Sequence, residues 1–387
     1  MENVKEPQGT TPQGGCLARP ALFSWLALPL WARRLLYGLT VGLSWAVSSL
    51  YIFVMWAMDT RDLINLNAYE RAKFIPMIYG TAHRPFVQRV FIPWTVRAIL
   101  RVMPRRWLDF LHGEVYNRLP VLWKITYYLP WERDRIPEYL VALILMYAAL
   151  VGFMLVARSL YRRLYDGPAW LGDLVPLAML WALPIFFIHG THYIYDFPLL
   201  LLFTLGFLLL AEERWGWFYP IFFLGLLNKE TTALLSLFFL LRFWPRLPRR
   251  EFWLHGLLQG VLILGVRVYL ALLFRHNPGS FFEWNLPMNL LNALLRPYPL
   301  TTVLSVAALV LLVGHDWRAK PLALRQGLSL FLPLALSYIL VGTYQEIRVF
   351  YEVYPIVFML ALPTLAKILG WKLAPAKPEP GAREAAP

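Results

Sequence analysis

Apolar runs close to 20 residues long recur along this chain, and nothing else in the sequence restricts the fold so strongly. A helix needs about 20 consecutive apolar residues to cross the hydrocarbon core of a bilayer. The first run, residues 35–57, holds no charged side chain and directly follows Arg33 and Arg34. Others cover 137–157, 174–188, 197–211, 252–274, 301–313, 328–341 and 349–369. Only 16% of residues are charged, where a soluble domain carries about a quarter. The alternating segments of an outer-membrane barrel are missing from the sequence. The expected fold is therefore all-α, a polytopic transmembrane helical bundle.

A formal net charge of +14 raises the question of a nucleic-acid partner. No recognition motif accompanies it, and basic loops with headgroup-level arginines account for the excess in a membrane protein. Nucleic acid is set aside on that ground. Cys16 is the one cysteine, which excludes an internal disulfide and a CxxC metal site. Residues 1–20 are polar and lack the charged-then-apolar order of a secretory signal. With 371–387 they read as disordered cytoplasmic ends of a single transmembrane domain, 21–370.

Topology turns on the stretch LLNKETTALL, residues 226–235. Charged side chains at bilayer depth cost about 2.5–3.5 kcal/mol each and are usually functional. If residues 217–243 form one crossing, the loop RFWPRLPRR lands outside and every later loop inverts. If the chain instead reverses at NKETT, each limb reaches only about 20 Å, short of the ~30 Å core. Then Arg242, Arg246, Arg249 and Arg250 share a side with Arg158, Arg162 and Arg163. Asp316, Arg318, Lys320 and Arg325 fall there too, as do Lys367, Lys372 and Lys377. That side is cytoplasmic by the positive-inside rule, in the plasma membrane, with both termini on it. The expectation is a re-entrant helical hairpin whose polar tip faces a cavity, since irregular backbone at that depth is otherwise excluded. The competing reading is an unbroken tilted helix with a buried Lys–Glu pair.

The segment 58–136 lies outside in this threading, and loops longer than about 60 residues escape the charge bias. Within PFVQRVFIPWTVRAILRVM, Arg89, Arg97 and Arg101 fall within about a third of a helical circumference. That predicts interfacial helices with arginines at phosphate level, either framing a lateral opening or packed on the rim.

The unusual polar residues then gather on the outer side. Asp59 and Asp62 follow the first span, and His189, His192, Tyr195 and Asp196 lie between the third and fourth. Asn228, Lys229 and Glu230 form the tip, Glu346, Arg348 and Glu352 open the last span, and Arg267 lies outward along its own. Each has a bland alternative. Asp59 can be solvated at a helix end, and the histidines can be interfacial, with no third ligand in sight. Arg348 and Glu352 can be a helix pair, and Arg267 can snorkel.

This arrangement resembles the GT-C class of integral-membrane glycosyltransferases, which use polyprenyl-phosphate-linked sugars. The resemblance rests on Asp59 and Asp62 directly after the first span, a long first external segment and a multispan bundle with outer-face polar residues. The chain also looks like a group of bacterial membrane proteins with PFVQRVFIPW-, YDFP-, NKET- and EIRVFYEVYP-like segments. The resemblance implies an aspartate of the first external loop acting as base or positioning a metal, here Asp59 and less directly Asp62.

Glycosyl transfer needs a carboxylate to deprotonate the acceptor and cations to neutralise the leaving phosphate. Asp59, Asp62 and Glu230 are the catalytic candidates. Lys229, Arg267, Arg348 and Arg89 are the candidates for the phosphate. Asp196, Asn228, Glu346 and Glu352 would orient sugar or hold those cations. A divalent ion, Mg or Mn, could join the carboxylates. The partners expected are a polyprenyl-phosphate-linked sugar and membrane lipid. The rival class is a transporter or lipid-linked glycan flippase, which also uses broken helices with polar tips. A second NKETT-like hairpin, which internal symmetry would supply, is absent from the sequence. A non-catalytic envelope scaffold is the third reading.

Overall fold

In the computed structural model the described residues are 29–57, 69–115, 132–186, 192–280, 284–344 and 346–376. Asp59, Asp62 and His189 lie outside them. The chain divides into two compact units, Met1–Trp45 and Ala46–Pro387. In the first, the described residues are the opening turns of helix α1 (Leu30–Ala57), with Leu30, Leu35, Leu39 and Leu43 exposed.

Among its described residues, the regular structure of the second unit is helical apart from one pair of two-residue strands. Its centre is α7 (Asp196–Ala211), which is apolar all round and accordingly buried all round. Around it pack α5 (Ile136–Leu164) and α8 (Trp215–Asn228), with α6 (Ala169–Ala182) on the far side of α5. The segment between α1 and α5 supplies α2 (Phe74–Tyr79), α3 (Phe91–Val102) and α4 (Arg105–Asp109). Next come α9 (Leu234–Phe243), α10 (Arg249–Leu273), α11 (Leu286–Leu295) and α12 (Leu300–Gly314). The series ends with α13 (Leu322–Gly327), α14 (Phe331–Leu340) and α15 (Tyr354–Ile368). Among the described residues five helices are long and apolar enough to cross a membrane: Leu30–Ala57, Ile136–Leu164, Ala169–Phe186, Arg249–Leu273 and Leu322–Leu340. The pair α11–α12 meets the same test but bends by 111°.

The hairpin is present and the unbroken helix is not. Lys229 is extended (φ −158°, ψ 139°), which ends α8 and starts a short 3-10 turn, Glu230–Ala233. Trp215, at the start of α8, lies 5.1 Å from Phe243, at the end of α9, ring centre to ring centre. A continuous helix would hold those residues about 42 Å apart. Two close approaches make the fold-back possible. A Cβ on Gly225 would sit 2.5 Å from Thr232 Cγ2, and one on Gly206 would sit 2.6 Å from Leu235 Cδ1. Thr232 Oγ1 donates to the Gly225 carbonyl at 2.9 Å, sharing that acceptor with the Lys229 amide that caps the helix end.

This reversal sorts the polar groups between two ends of the bundle. At one end Arg163 meets Glu212 at 4.0 Å, Arg242 donates to the Ala211 carbonyl, Gln326 to that of Leu241, and Lys367 pairs with Asp316. β1 (Tyr165–Asp166) pairs there with β2 (Ala374–Pro375), so ordered chain runs past the tail boundary expected at Trp371. At the other end lie the hairpin tip and the starts of α7 and α15. The turn after α10 is clasped there to the turn after α2. Asn277 Nδ2 donates to the Gly80 and Ala82 carbonyls, both at 2.9 Å.

One expectation fails in detail. Arg89, Arg97 and Arg101 do not share a helix face, because α3 begins only at Phe91, with Pro93 in its first turn. Proline there loses nothing, as that amide is unpaired in any helix. Arg97 and Arg101 are exposed on α3, whereas Arg89 sits in the preceding turn and is buried.

Candidate functional site

Five segments far apart in sequence bring charged side chains together at the tip end. The turn into α3 supplies Arg89. The turn into α7 supplies Tyr193, Tyr195 and Asp196. The hairpin supplies Asn228 to Thr231, the turn before α15 supplies Glu346, Arg348 and Glu352, and α10 supplies Arg267.

Each is held by local structure. Asp196 is the first residue of α7, and its Oδ2 accepts the Tyr193 amide at 3.0 Å, which closes the turn. Asn228, the last residue of α8, donates through Nδ2 to the Tyr195 carbonyl at 3.0 Å. The tip and the α7 turn are thus bonded directly. The rings of Phe86, Tyr193 and Tyr195 stack in series, 5.6 and 5.1 Å between centres.

Onto this stack the cations are laid. Arg89 forks onto Glu230, with Nη2 to Oε1 at 2.7 Å and Nε to Oε2 at 3.3 Å. It also donates to the Tyr195 hydroxyl and lies 4.3 Å from that ring's centre. Arg348 lies 3.9 Å over the Tyr193 ring, 3.4 Å from Asp196 Oδ1, and in contact with Glu346. Lys229 donates to Glu352 Oε1 at 2.9 Å, and the Thr231 hydroxyl donates to the same oxygen. Arg267 Nη2 donates to Gln88 Oε1 at 2.9 Å, one residue from Arg89, and acts electrostatically on Glu230.

Four cations thus face four carboxylates. The pairs share the tyrosine stack and the Asn228 bond, so they form one network. Glu352 has a side chain that is 0% exposed, while Glu230, at 33%, is the most open of the paired groups. Burial pushes the Glu346 carboxyl up, but the adjoining Arg348 guanidinium outweighs it and holds the group below the ordinary carboxylate range. Glu352 Oε2, Asn228 Oδ1, Gln88 Nε2 and Arg348 Nε are buried with no hydrogen-bond partner among the described residues. These are polar valences that a hydroxyl-rich or phosphate-bearing ligand could use.

The structure therefore joins Arg89, Asp196, Asn228, Lys229, Glu230, Glu346, Arg348 and Glu352, with Arg267 beside them. Arg348 and Glu352 are not a pair with each other; each bonds to a different segment. His192 is not set up as a ligand. It stacks on Trp56 at 5.5 Å, with Nδ1 2.6 Å from the Trp56 carbonyl, and no three metal-binding side chains converge among the described residues. Trp56 also packs on Phe197 at 4.6 Å, so the last described turn of α1, three residues before Asp59, lies against the start of α7.

Sequence reasoning missed Gln88, Tyr193 and Thr231. The tyrosine pair carried a faint signal in the alternation YIYD, which puts both rings on one side of an extended turn. The chain matches no family model, no curated protein and no solved structure.

Proposed function

We propose that the protein is a membrane glycosyltransferase, moving a sugar from a polyprenyl-phosphate donor to an acceptor hydroxyl at the outer face of the plasma membrane. One observation carries this reading. Arginines and a lysine from separate segments meet carboxylates at the end of the bundle opposite the basic loops. A fold that needed only to insert would do better with leucine at these positions.

In this reading the acceptor oxygen attacks the anomeric carbon as the bond from that carbon to the phosphate oxygen breaks. Asp59 takes the hydroxyl proton, and the lipid phosphate leaves as an anion. Arg89 and Arg267 face that phosphate, because Glu230, the open partner of Arg89, gives way to a more highly charged oxyanion. Lys229 and Arg348 hold Glu352 and Asp196 in position for hydrogen bonds to sugar hydroxyls.

The test is turnover by the full-length protein in proteoliposomes, supplied with labelled polyprenyl-phosphate sugars and followed by release of the lipid phosphate. Asp59→Asn is expected to abolish transfer, at least 100-fold, with insertion and expression unchanged. Full activity in that variant removes Asp59 from the role. Movement of intact lipid-linked sugar across the bilayer, without bond cleavage, replaces the reading with the flippase.

The orientation is tested separately. In a Cys16→Ser background, a cysteine at Arg246 is expected to react with an impermeant thiol reagent only after the cytoplasmic side is opened. Labelling in intact cells reverses the topology and, with it, the side on which the site opens.

A further inference from the structure

At the opposite end from the charge network, the fold-back of α9 onto α10 leaves a groove of about 610 Å³. Leu240, Leu241, Trp244 and Pro245 wall one side, and Phe252 and Trp253 the other. A smaller hollow of about 150 Å³ continues it past Trp244 and Trp253 to Arg249. The indoles stand edge to face, 6.1 Å between centres, and both are exposed. The groove is apolar for most of its length and meets a cationic rim where α10 begins.

That rim is charged beyond its own needs. Arg246, Arg249 and Arg250 are exposed and make no ion pair among the described residues, and Glu251 is the one acidic residue in the stretch 242–251. Arg246 already acts on the buried Arg242 as a like charge. The first amides of a 25-residue helix add a positive end to the same spot. An apolar slot opening onto three unpaired arginines has the shape and charge of a lipid with an anionic head.

We infer that this groove is a binding site for an anionic phospholipid, with an acyl chain lying along Leu240, Leu241 and Phe252 against the Trp244–Trp253 pair and the phosphate on Arg249, flanked by Arg246 and Arg250. The volume lies within the range that holds a chain-sized ligand. Basic pockets between helices at the cytoplasmic side hold such headgroups, and each arginine adds a substantial preference over a zwitterionic head. The site is independent of the glycosyl-transfer reading, since it shares no residue with the charge network.

The full-length protein, in mild detergent with equal dioleoyl-phosphatidylglycerol and dioleoyl-phosphatidylcholine, is examined by native mass spectrometry. Phosphatidylglycerol adducts are expected to survive about tenfold over phosphatidylcholine. The variant Arg246→Gln/Arg249→Gln/Arg250→Gln is expected to equalise them while eluting as the wild type does in size exclusion. Chain-brominated phosphatidylglycerol should quench more tryptophan emission than its phosphatidylcholine counterpart, and Trp244→Phe/Trp253→Phe should remove that difference. Equal adducts in the wild type, or a preference that survives loss of the arginines, overturns the site. Unchanged differential quenching in the tryptophan variant overturns the placement of the chain. Displacement by polyprenyl phosphate at far lower concentration overturns the choice of a phospholipid.

Discussion

Replacing Arg348 with methionine is expected to lower the melting temperature of the detergent-solubilised protein by about 5–7 °C. Methionine keeps most of the stem's volume but removes the charge that two carboxylates depend on. Asp196, 2% exposed, would keep only the Tyr193 amide, and Glu346 would keep only the Thr343 amide at 3.3 Å. Removing one partner of a buried pair costs about 3–5 kcal/mol, because the remaining charge is stranded. Loss of the cation from the Tyr193 face adds to this by about 1 kcal/mol. The double variant Arg348→Met/Asp196→Asn should regain part of the loss, since it strands one charge fewer. Thermal unfolding followed by size exclusion reads both. A melting point within about 1 °C of wild type would mean that the network contributes specificity without stability, a balance that buried ion pairs can reach.

How far this network could be read beforehand depends on what each residue signals by itself. The hairpin was legible because NKETT breaks an apolar run and because only a reversal puts Arg242, Arg163 and Lys367 on one side. The structure puts them at one end through the Trp215–Phe243 contact and the pairing of Arg163 with Glu212. The gathering of Asp196, Lys229, Arg348 and Glu352 followed from the same argument, since side is fixed by threading alone. Which carboxylate meets which cation was not legible. Lys229 and Glu352 are 123 positions apart, and the choice depends on how α8 leans on α15's entry turn.

Arg89 was misplaced for a related reason. Periodicity joined it to Arg97 and Arg101, but the chain enters α3 through a 3-10 turn, Phe86–Gln88, that periodicity does not register. The aromatic stack beneath the cations was overlooked because aromatic residues make up 16% of the chain and so single none out. Asp59 and Asp62, the catalytic candidates from the first loop, lie outside the described residues, so their place in the site rests on sequence alone.

Lys320 departs furthest from its sequence reading, and it supplies the second large effect. A lysine in GHDWRAKP reads as a solvated member of a basic loop, yet this one is 3% exposed. Asp316 adopts a left-handed conformation (φ 50°), and the 3-10 turn Trp317–Ala319 carries the lysine under the end of α12. Its Nζ donates to the carbonyls of Leu312, Val313 and Leu360 at 2.7, 2.8 and 2.6 Å, and lies 3.3 Å from Thr364 Oγ1. The ammonium thus neutralises the negative end of α12 and ties it to α15, two helices with few other polar contacts. By contrast, Lys367 and Asp316 pair in the open, where solvent screens such a bridge.

Lys320→Met is therefore expected to cost about 2–4 kcal/mol, chiefly by orphaning the Val313 carbonyl and unpinning α12. Thr364 can still serve Leu312, to which it already donates at 2.8 Å, so the loss stays below the sum of the four contacts. Hydrogen exchange should quicken first in the last turn of α12, well before global melting. Below that temperature, turnover per folded molecule should stay near wild type, because the lysine lies at the end away from the charge network. Arg348→Met should lose turnover and stability together. If Lys320→Met left both exchange in α12 and the melting point unchanged, the lysine would be a passenger in its pocket. The helix end would then be held by apolar packing between α12 and α15 alone.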